Sequence, residues 1–170
     1  MRWRLGAACA LALGVAGGAQ AQSQTGVVVE LFTSQGCSAC PPADEHLALL
    51  AEQSGVIALA LHVDYWDYIG WQDRFAHPRF TERQKAYARA RGGRTIYTPQ
   101  MIVGGLERVE GSRPEEVAGF IRKHMALQGQ VALRLERTGD RLQIRAEASP
   151  PLDRPVVVQV VRYRAEETVE

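Results

Sequence analysis

The chain has 170 residues, 46% of them hydrophobic and 23% charged, with 20 Lys+Arg against 19 Asp+Glu. That is enough apolar material for one domain with a core. The near-neutral balance excludes a global attraction to nucleic acid or to an acidic membrane surface.

Met1-Arg2-Trp3-Arg4 is basic, residues 5–18 are small and apolar, and Ala19-Gln20-Ala21 has the small-x-small pattern of a cleavage site. Together they predict a signal peptide over residues 1–21, cut before Gln22, and so an exported protein, secreted or periplasmic, without stable membrane insertion. A lipoprotein reading through Cys9 fits less well, because too few residues precede that cysteine. No later stretch approaches the ~18 uninterrupted apolar residues of a spanning helix. Removal of Arg2, Arg4 and Cys9 with the leader leaves 18 basic and 19 acidic residues and two cysteines. In an oxidising compartment, Cys37 and Cys40 then have only each other in the same chain.

Residues 27–32 are β-branched and almost continuously apolar, which predicts a buried strand. Pro41-Pro42, followed by Leu47, Leu50 and Ala51 at helical spacing, predicts a helix over residues 41–53. Ser54-Gly55 stops it, and residues 56–63 predict a second buried strand, parallel to the first through a right-handed crossover. Residues 64–78 are irregular and aromatic, and a basic helix is expected to open at Thr81 and end at Gly92-Gly93. Thr98-Pro99 precedes a strand over residues 100–103, a Gly104-Gly105 turn and a return strand over 106–109. Ser112 and Glu115 have capping-box spacing around Pro114, with Val117, Phe120, Ile121, His124 and Met125 on one helix face. Beyond a linker at residues 128–130 the apolar period becomes two, predicting a hairpin turned at Thr138-Gly139-Asp140 and a further strand at 156–161. The fold class read from this order is α/β, β-α-β-α-β-β-α, with a β-rich C-terminal segment over residues 131–170.

Cys37-Ser38-Ala39-Cys40 falls between the first strand and the first helix, where a dithiol redox centre is usually presented. The helix dipole favours negative charge at the first cysteine, which makes Cys37 the candidate nucleophile and Cys40 the resolving thiol. A static structural disulfide and a metal half-site are the alternatives. None of His46, His62, His77 and His124 has zinc-finger spacing to the pair, but His62, ending the second strand, can complete a copper site with Cys37 and Cys40, or serve as an ordinary hydrogen-bonded residue. Trp66, with Tyr65, Tyr68 and Trp71, reads either as a partner-binding rim or as cover for the helical insertion. Asp64 and Asp67 read as a proton acceptor for a thiol or as turn caps. Arg79, Arg83, Lys85, Arg89, Arg91 and Arg94 form a patch that either steers an acidic partner or is a solvated helix face.

The element order, the dithiol at the first strand-to-helix turn and Thr98-Pro99 before the hairpin together resemble the thioredoxin superfamily over residues 26–128. Closer still, Glu30-Leu31-Phe32-Thr33-Ser34-Gln35-Gly36-Cys37-Ser38-Ala39-Cys40-Pro41-Pro42-Ala43-Asp44, His62-Val63-Asp64-Tyr65-Trp66-Asp67 and Tyr97-Thr98-Pro99-Gln100-Met101 are similar to an exported bacterial family of thioredoxin-like proteins catalogued as a domain of unknown function. The resemblance implies a thioredoxin-like domain over residues 22–128, a cis Pro99 facing the dithiol, and a Thr98 backbone free to pair with a peptide lying across it. It also implies a C-terminal β segment longer than the one here. Gly36 stands where thioredoxin carries a tryptophan, and Ser38-Ala39 is not its intervening pair, so its redox poise does not carry over. The expected activity is thiol-disulfide exchange on exported protein thiols or disulfides, with a separate redox partner and no cofactor. The rival is a non-catalytic binding module with a structural disulfide, or a copper-handling dithiol protein.

Overall fold

The computed structural model describes residues 26–70, 72–127, 129 and 131–167; the expected signal peptide with Cys9, Trp71, and Gln128 and Gln130 of the expected linker lie outside them. Strand β1 (Val27–Thr33) is followed by helix α1 (Pro41–Ala51), strand β2 (Val56–His62), a 3-10 turn (Asp67–Ile69) and helix α2 (Pro78–Ala90). Strands β3 (Gln100–Val103) and β4 (Glu107–Glu110) and helix α3 (Pro114–Met125) complete the set, and β5 (Val131–Thr138) and β6 (Arg141–Ala148) form a separate hairpin. The four-stranded sheet has the order β2-β1-β3-β4, with β1 parallel to β2 and antiparallel to β3. This is the thioredoxin-like α/β arrangement with a C-terminal hairpin.

The inner position of β1 explains its unbroken apolar run. Val27, Val29 and Leu31 point to one face, where α1 (Ala43, Leu47, Leu50) and α3 (Val117, Ile121) cover them. Phe32 points to the other, against Leu61, Ile102 and the α2 side chains Phe80 and Tyr87. Each such side chain, fully buried, contributes about 1.5–3 kcal/mol. Glu30, on the α2 face, is buried and accepts two hydrogen bonds from the Arg83 guanidinium and one from the Tyr87 hydroxyl. Burial, and then the Glu30 carboxylate, push the Tyr87 phenol far above its ordinary range. Across the sheet, Glu107 bonds both Lys123 and His124 of α3, which hold its carboxyl down at about 2.

Four expectations are corrected. Strand β2 is an edge strand, half-exposed along its length apart from Leu61 and Ala60, because only β1 pairs with it. Helix α2 starts at Pro78 rather than Thr81: a proline suits the first helical position, and the His77 ring accepts the Arg79 N–H as a cap. The cap of α3 is Arg113, without a side-chain bond, so Ser112 and Glu115 do not form a capping box. Residues 156–161 form no strand, and Val156, Val157, Val158, Val160 and Val161 are exposed; β-propensity cannot make a strand without a pairing partner, and β5 and β6 pair only with each other. Among the described residues no helix is long and apolar enough to cross a membrane.

Gly111, after β4, marks a close approach between layers: a Cβ there would stand 2.7 Å from the Ala43 Cβ and 3.2 Å from the Pro99 Cβ. Ala43 belongs to α1, and Pro99 leads directly into β3. Gly111→Ala is therefore expected to lower stability by about 1–3 kcal/mol in urea denaturation, and an unchanged midpoint would show that α1 can shift to make room.

Candidate functional site

Strand β1 ends at Thr33, and two stacked turns lead into α1. The Ser34 carbonyl accepts the Cys37 N–H at 3.1 Å, and the Cys37 carbonyl accepts the Cys40 N–H at 3.1 Å. These turns bring the cysteine Cα atoms to 5.4 Å, and Cys37 and Cys40 form a disulfide. Cys40 caps α1 at its N-terminus. Pro41 and Pro42 have no N–H, and those of Ala43 and Asp44 already donate to the Cys40 carbonyl. What remains to favour a Cys37 thiolate from the helix is its dipole, not free first-turn donors. Cys37 is 3% exposed and Cys40 fully buried, while Ser38 and Ala39 between them face solvent.

Trp66 packs against this turn and is linked to Thr98. The Trp66 indole N–H donates to Thr98 Oγ1 at 2.7 Å. A Cβ at Gly36 would stand 3.2 Å from the Trp66 Cβ and 3.3 Å from Ile69 Cδ1, so the glycine lets the 3-10 segment pack directly beside Cys37. The Thr98-Pro99 peptide is cis, and Pro99 meets Ala43, three residues beyond Cys40, across Gly111. Tyr68, 82% exposed, and Ile69, half-exposed, lie on the outer side of that rim. Tyr65 is committed inward, its hydroxyl donating to Gln84 Oε1 at 3.3 Å.

On the α1 face, Thr33 and His62 are register partners across β1 and β2. The His62 Nδ1 lies 2.6 Å from Asp73 Oδ2, which fixes Nδ1 as the protonated ring nitrogen in the neutral tautomer and leaves Nε2 open. The same Asp73 oxygen accepts the Gln35 N–H at 2.8 Å, and Asp73 Oδ1 accepts the Phe75 N–H at 2.9 Å. Phe75 packs edge-on against the His62 ring. Burial pushes the Asp73 carboxyl up, but Gln35, His62 and Phe75 together hold it below the ordinary carboxylate range. Asp44, in the first turn of α1, goes the other way. Burial raises it and the Asp73 charge adds to the rise, against the opposing pull of Thr33 and His62. The Thr33 hydroxyl approaches that carboxyl but, fully buried, lies outside hydrogen-bonding geometry with any group.

Other sequence candidates have structural positions. Asp64 accepts from the Thr81 hydroxyl, and Asp67 accepts the Asp73 N–H within the loop. Of the basic patch, Arg83 is tied to Glu30, Lys85 to Glu82 and Arg91 to the Leu106 carbonyl. Among the described residues no three His, Cys, Asp or Glu side chains are grouped to hold a metal ion, and the His62 Nδ1 is already engaged. Asp73 had no local sequence signal, because it reaches the dithiol turn across 38 positions. Asp44 did have one: it lies one helical turn beyond Cys40.

A mixed sheet with helices on both faces, and a disulfide at the turn from an inner strand to the first helix, defines a thioredoxin-like α/β domain carrying a C-terminal hairpin. The chain belongs to the family described as protein of unknown function DUF1223, whose match covers residues 28–170. It is similar to the crystal structure of an Agrobacterium tumefaciens protein from a structural genomics consortium, at 43% identity and a TM-score of 0.61, over 69% of this chain and 54% of that one. The chain thus spans about half the length of that protein. No curated protein matches it.

Because the Asp73 carboxyl is depressed in the folded state, it contributes stability that is complete above the unfolded Asp range and is lost as pH falls through the lower native value. Asp73→Asn is expected to lower stability at neutral pH by about 2 kcal/mol and to flatten the acid limb of denaturant midpoint against pH. An acid limb as steep as the wild type's would contradict this assignment.

Proposed function

We propose that this protein is an exported thiol-disulfide oxidoreductase of the thioredoxin superfamily, acting on protein partners through Cys37 and Cys40. The observation that carries the reading is the placement of the disulfide: an inner strand delivers it to the start of a helix, with Trp66 packed against Gly36 in the same turn. Cys37, on the turn outside the helix, is the nucleophile; Cys40, its N-cap, is the resolving thiol that attacks the mixed disulfide and releases the partner. Thr98 and Pro99 shape the groove in which a partner segment lies, and Trp66 forms its wall. The basic, apolar and small-residue order of residues 1–21 supports export, where an oxidised pair persists and where partner disulfides are found. A second redox protein recycles the dithiol.

One observation favours a second reading, a non-catalytic module with a structural staple: both cysteines are nearly closed to solvent, so attack on Cys37 requires the Trp66–Ile69 rim to move aside. The copper version has no comparable support.

With the full chain expressed under its own leader, Cys40→Ser is expected to accumulate mixed disulfides with other exported proteins, visible as reduction-sensitive bands on non-reducing gels. Cys37→Ser is expected to show none. Equal absence from both variants would transfer the assignment to the structural staple.

A further inference from the structure

The chain is close to neutral as a whole, with 20 Lys+Arg against 19 Asp+Glu, but its charges are unevenly placed. Four exposed arginines, Arg89, Arg91, Arg94 and Arg108, come from two stretches of sequence that meet where the end of α2 packs beside the β3–β4 hairpin. Two of them make the junction. Arg91, the C-cap of α2, donates to the Leu106 carbonyl in the hairpin turn. Arg108, on β4, donates to the Thr95 carbonyl at 3.3 Å, and its guanidinium lies 5.3 Å from the centre of the Tyr97 ring. A carbonyl or a ring orients a guanidinium without cancelling its charge. The carboxylates of this region are held by other cations: Glu82 by Lys85, Glu107 by Lys123 and His124, and Glu110 by Arg113. Arg94 has no ion pair among the described residues. The result is a positive surface on one side of a nearly neutral protein.

That surface adjoins the disulfide rim. Tyr97, beneath the Arg108 guanidinium, is followed by Thr98, whose Oγ1 accepts the Trp66 indole N–H, and Trp66 packs against Gly36 next to Cys37. We propose that the arginine cluster recognises acidic polypeptide segments, so that the preferred partners of Cys37 have Asp and Glu flanking the reactive cysteine. The proposal rests on the oxidoreductase reading and names the partner chemistry of that same site. Guanidiniums without carboxylate partners in their own chain present paired N–H donors to incoming carboxylates. Their summed field draws an acidic segment toward the rim and repels a basic one, which acts on the rate of encounter more than on the strength of the final contact. The arginines take no part in the chemical step: the Cys37 thiolate bonds to the partner cysteine sulfur, and the group previously bound to that sulfur leaves with the electron pair. Because β4, which carries Arg108, is the outermost strand of the sheet, the cluster borders a strand edge, a setting that suits an extended polypeptide better than a lipid surface.

The test uses the reduced full chain and two short peptides, alike except that the single cysteine is flanked by glutamates in one and by lysines in the other. Each cysteine is capped as a mixed disulfide with thionitrobenzoate, whose release reports attack by Cys37. Every rate is divided by that of dithiothreitol with the same peptide, which removes differences in intrinsic reactivity. At about 10 mM salt, where charges act over about 30 Å, the glutamate peptide is expected to react about tenfold faster than the lysine peptide. At about 1 M salt, where that reach falls to about 3 Å, the two rates converge. The double variant Arg89→Glu/Arg94→Glu is expected to prefer the lysine peptide, a reversal that loss of folding cannot produce. Equal rates at low salt, a preference that persists at high salt, or a variant with the wild-type preference overturns the proposal while leaving the oxidoreductase reading intact. Equal peptide rates together with sedimentation of the chain on phosphatidylglycerol vesicles would overturn it in favour of a lipid surface. Failure of the wild type to react with either peptide or with the uncharged disulfide dithiodipyridine removes the oxidoreductase reading, and the proposal with it.

Discussion

The carboxylate of Asp73 is the tie on which the geometry around the disulfide depends. It is buried and accepts from the turn before Cys37 (Gln35), from the end of the edge strand (His62) and from its own loop (Phe75), three segments far apart in sequence. A buried carboxylate is tolerated only when its lone pairs are filled, and a removed partner leaves the charge uncompensated. The dithiol turn, β2 and the insertion after it are therefore fixed relative to one another by one ion. What lies next to Cys37 and Cys40 follows from that tie: Trp66 against Gly36 on one side, Thr33 and Asp44 on the other.

The two faces of the sheet solve different problems. Toward α1 and α3 the layer is largely apolar, interrupted near the disulfide, where Thr33, Asp44 and His62 gather, and at Glu107, tied to Lys123 and His124 of α3. Toward α2 it includes Glu30, tied to Arg83 and Tyr87 well away from the cysteines. The polar groups near the disulfide and toward α2 enter through β1, an inner strand. The group toward α2 is satisfied internally and holds α2 in place; the one near the disulfide contains an unpartnered hydroxyl beside a carboxyl of raised proton affinity.

Much of this was legible in the sequence, for reasons that can be named. A strand buried on both faces has to be continuously apolar, so β1 announced itself, and Gly104-Gly105, with φ of 59° and 71°, could only be a tight reversal. The cysteine spacing placed the disulfide, and the Thr98-Pro99 peptide is cis. The same apolar signal misled at Val156–Val161 and in the reading of β2 as fully buried, because residue type reports what a strand prefers and not whether neighbours exist to pair with it or cover it. The Asp73 tie was invisible for a related reason: an aspartate in an irregular aromatic loop looks like a turn cap until the fold brings Gln35 and His62 to it. Asp44, by contrast, was readable as one turn beyond Cys40, but its burial was not.

The central claim is that Cys37–Cys40 is an exchange-active pair and not a staple, and the equilibrium reduction potential tests it most directly. The protein would be equilibrated across dithiothreitol or glutathione buffers, with its free thiols trapped and counted. A potential above about −270 mV, in the range of known exchange catalysts, is the expected result. A potential well below about −300 mV, where structural disulfides of exported proteins lie, would contradict it.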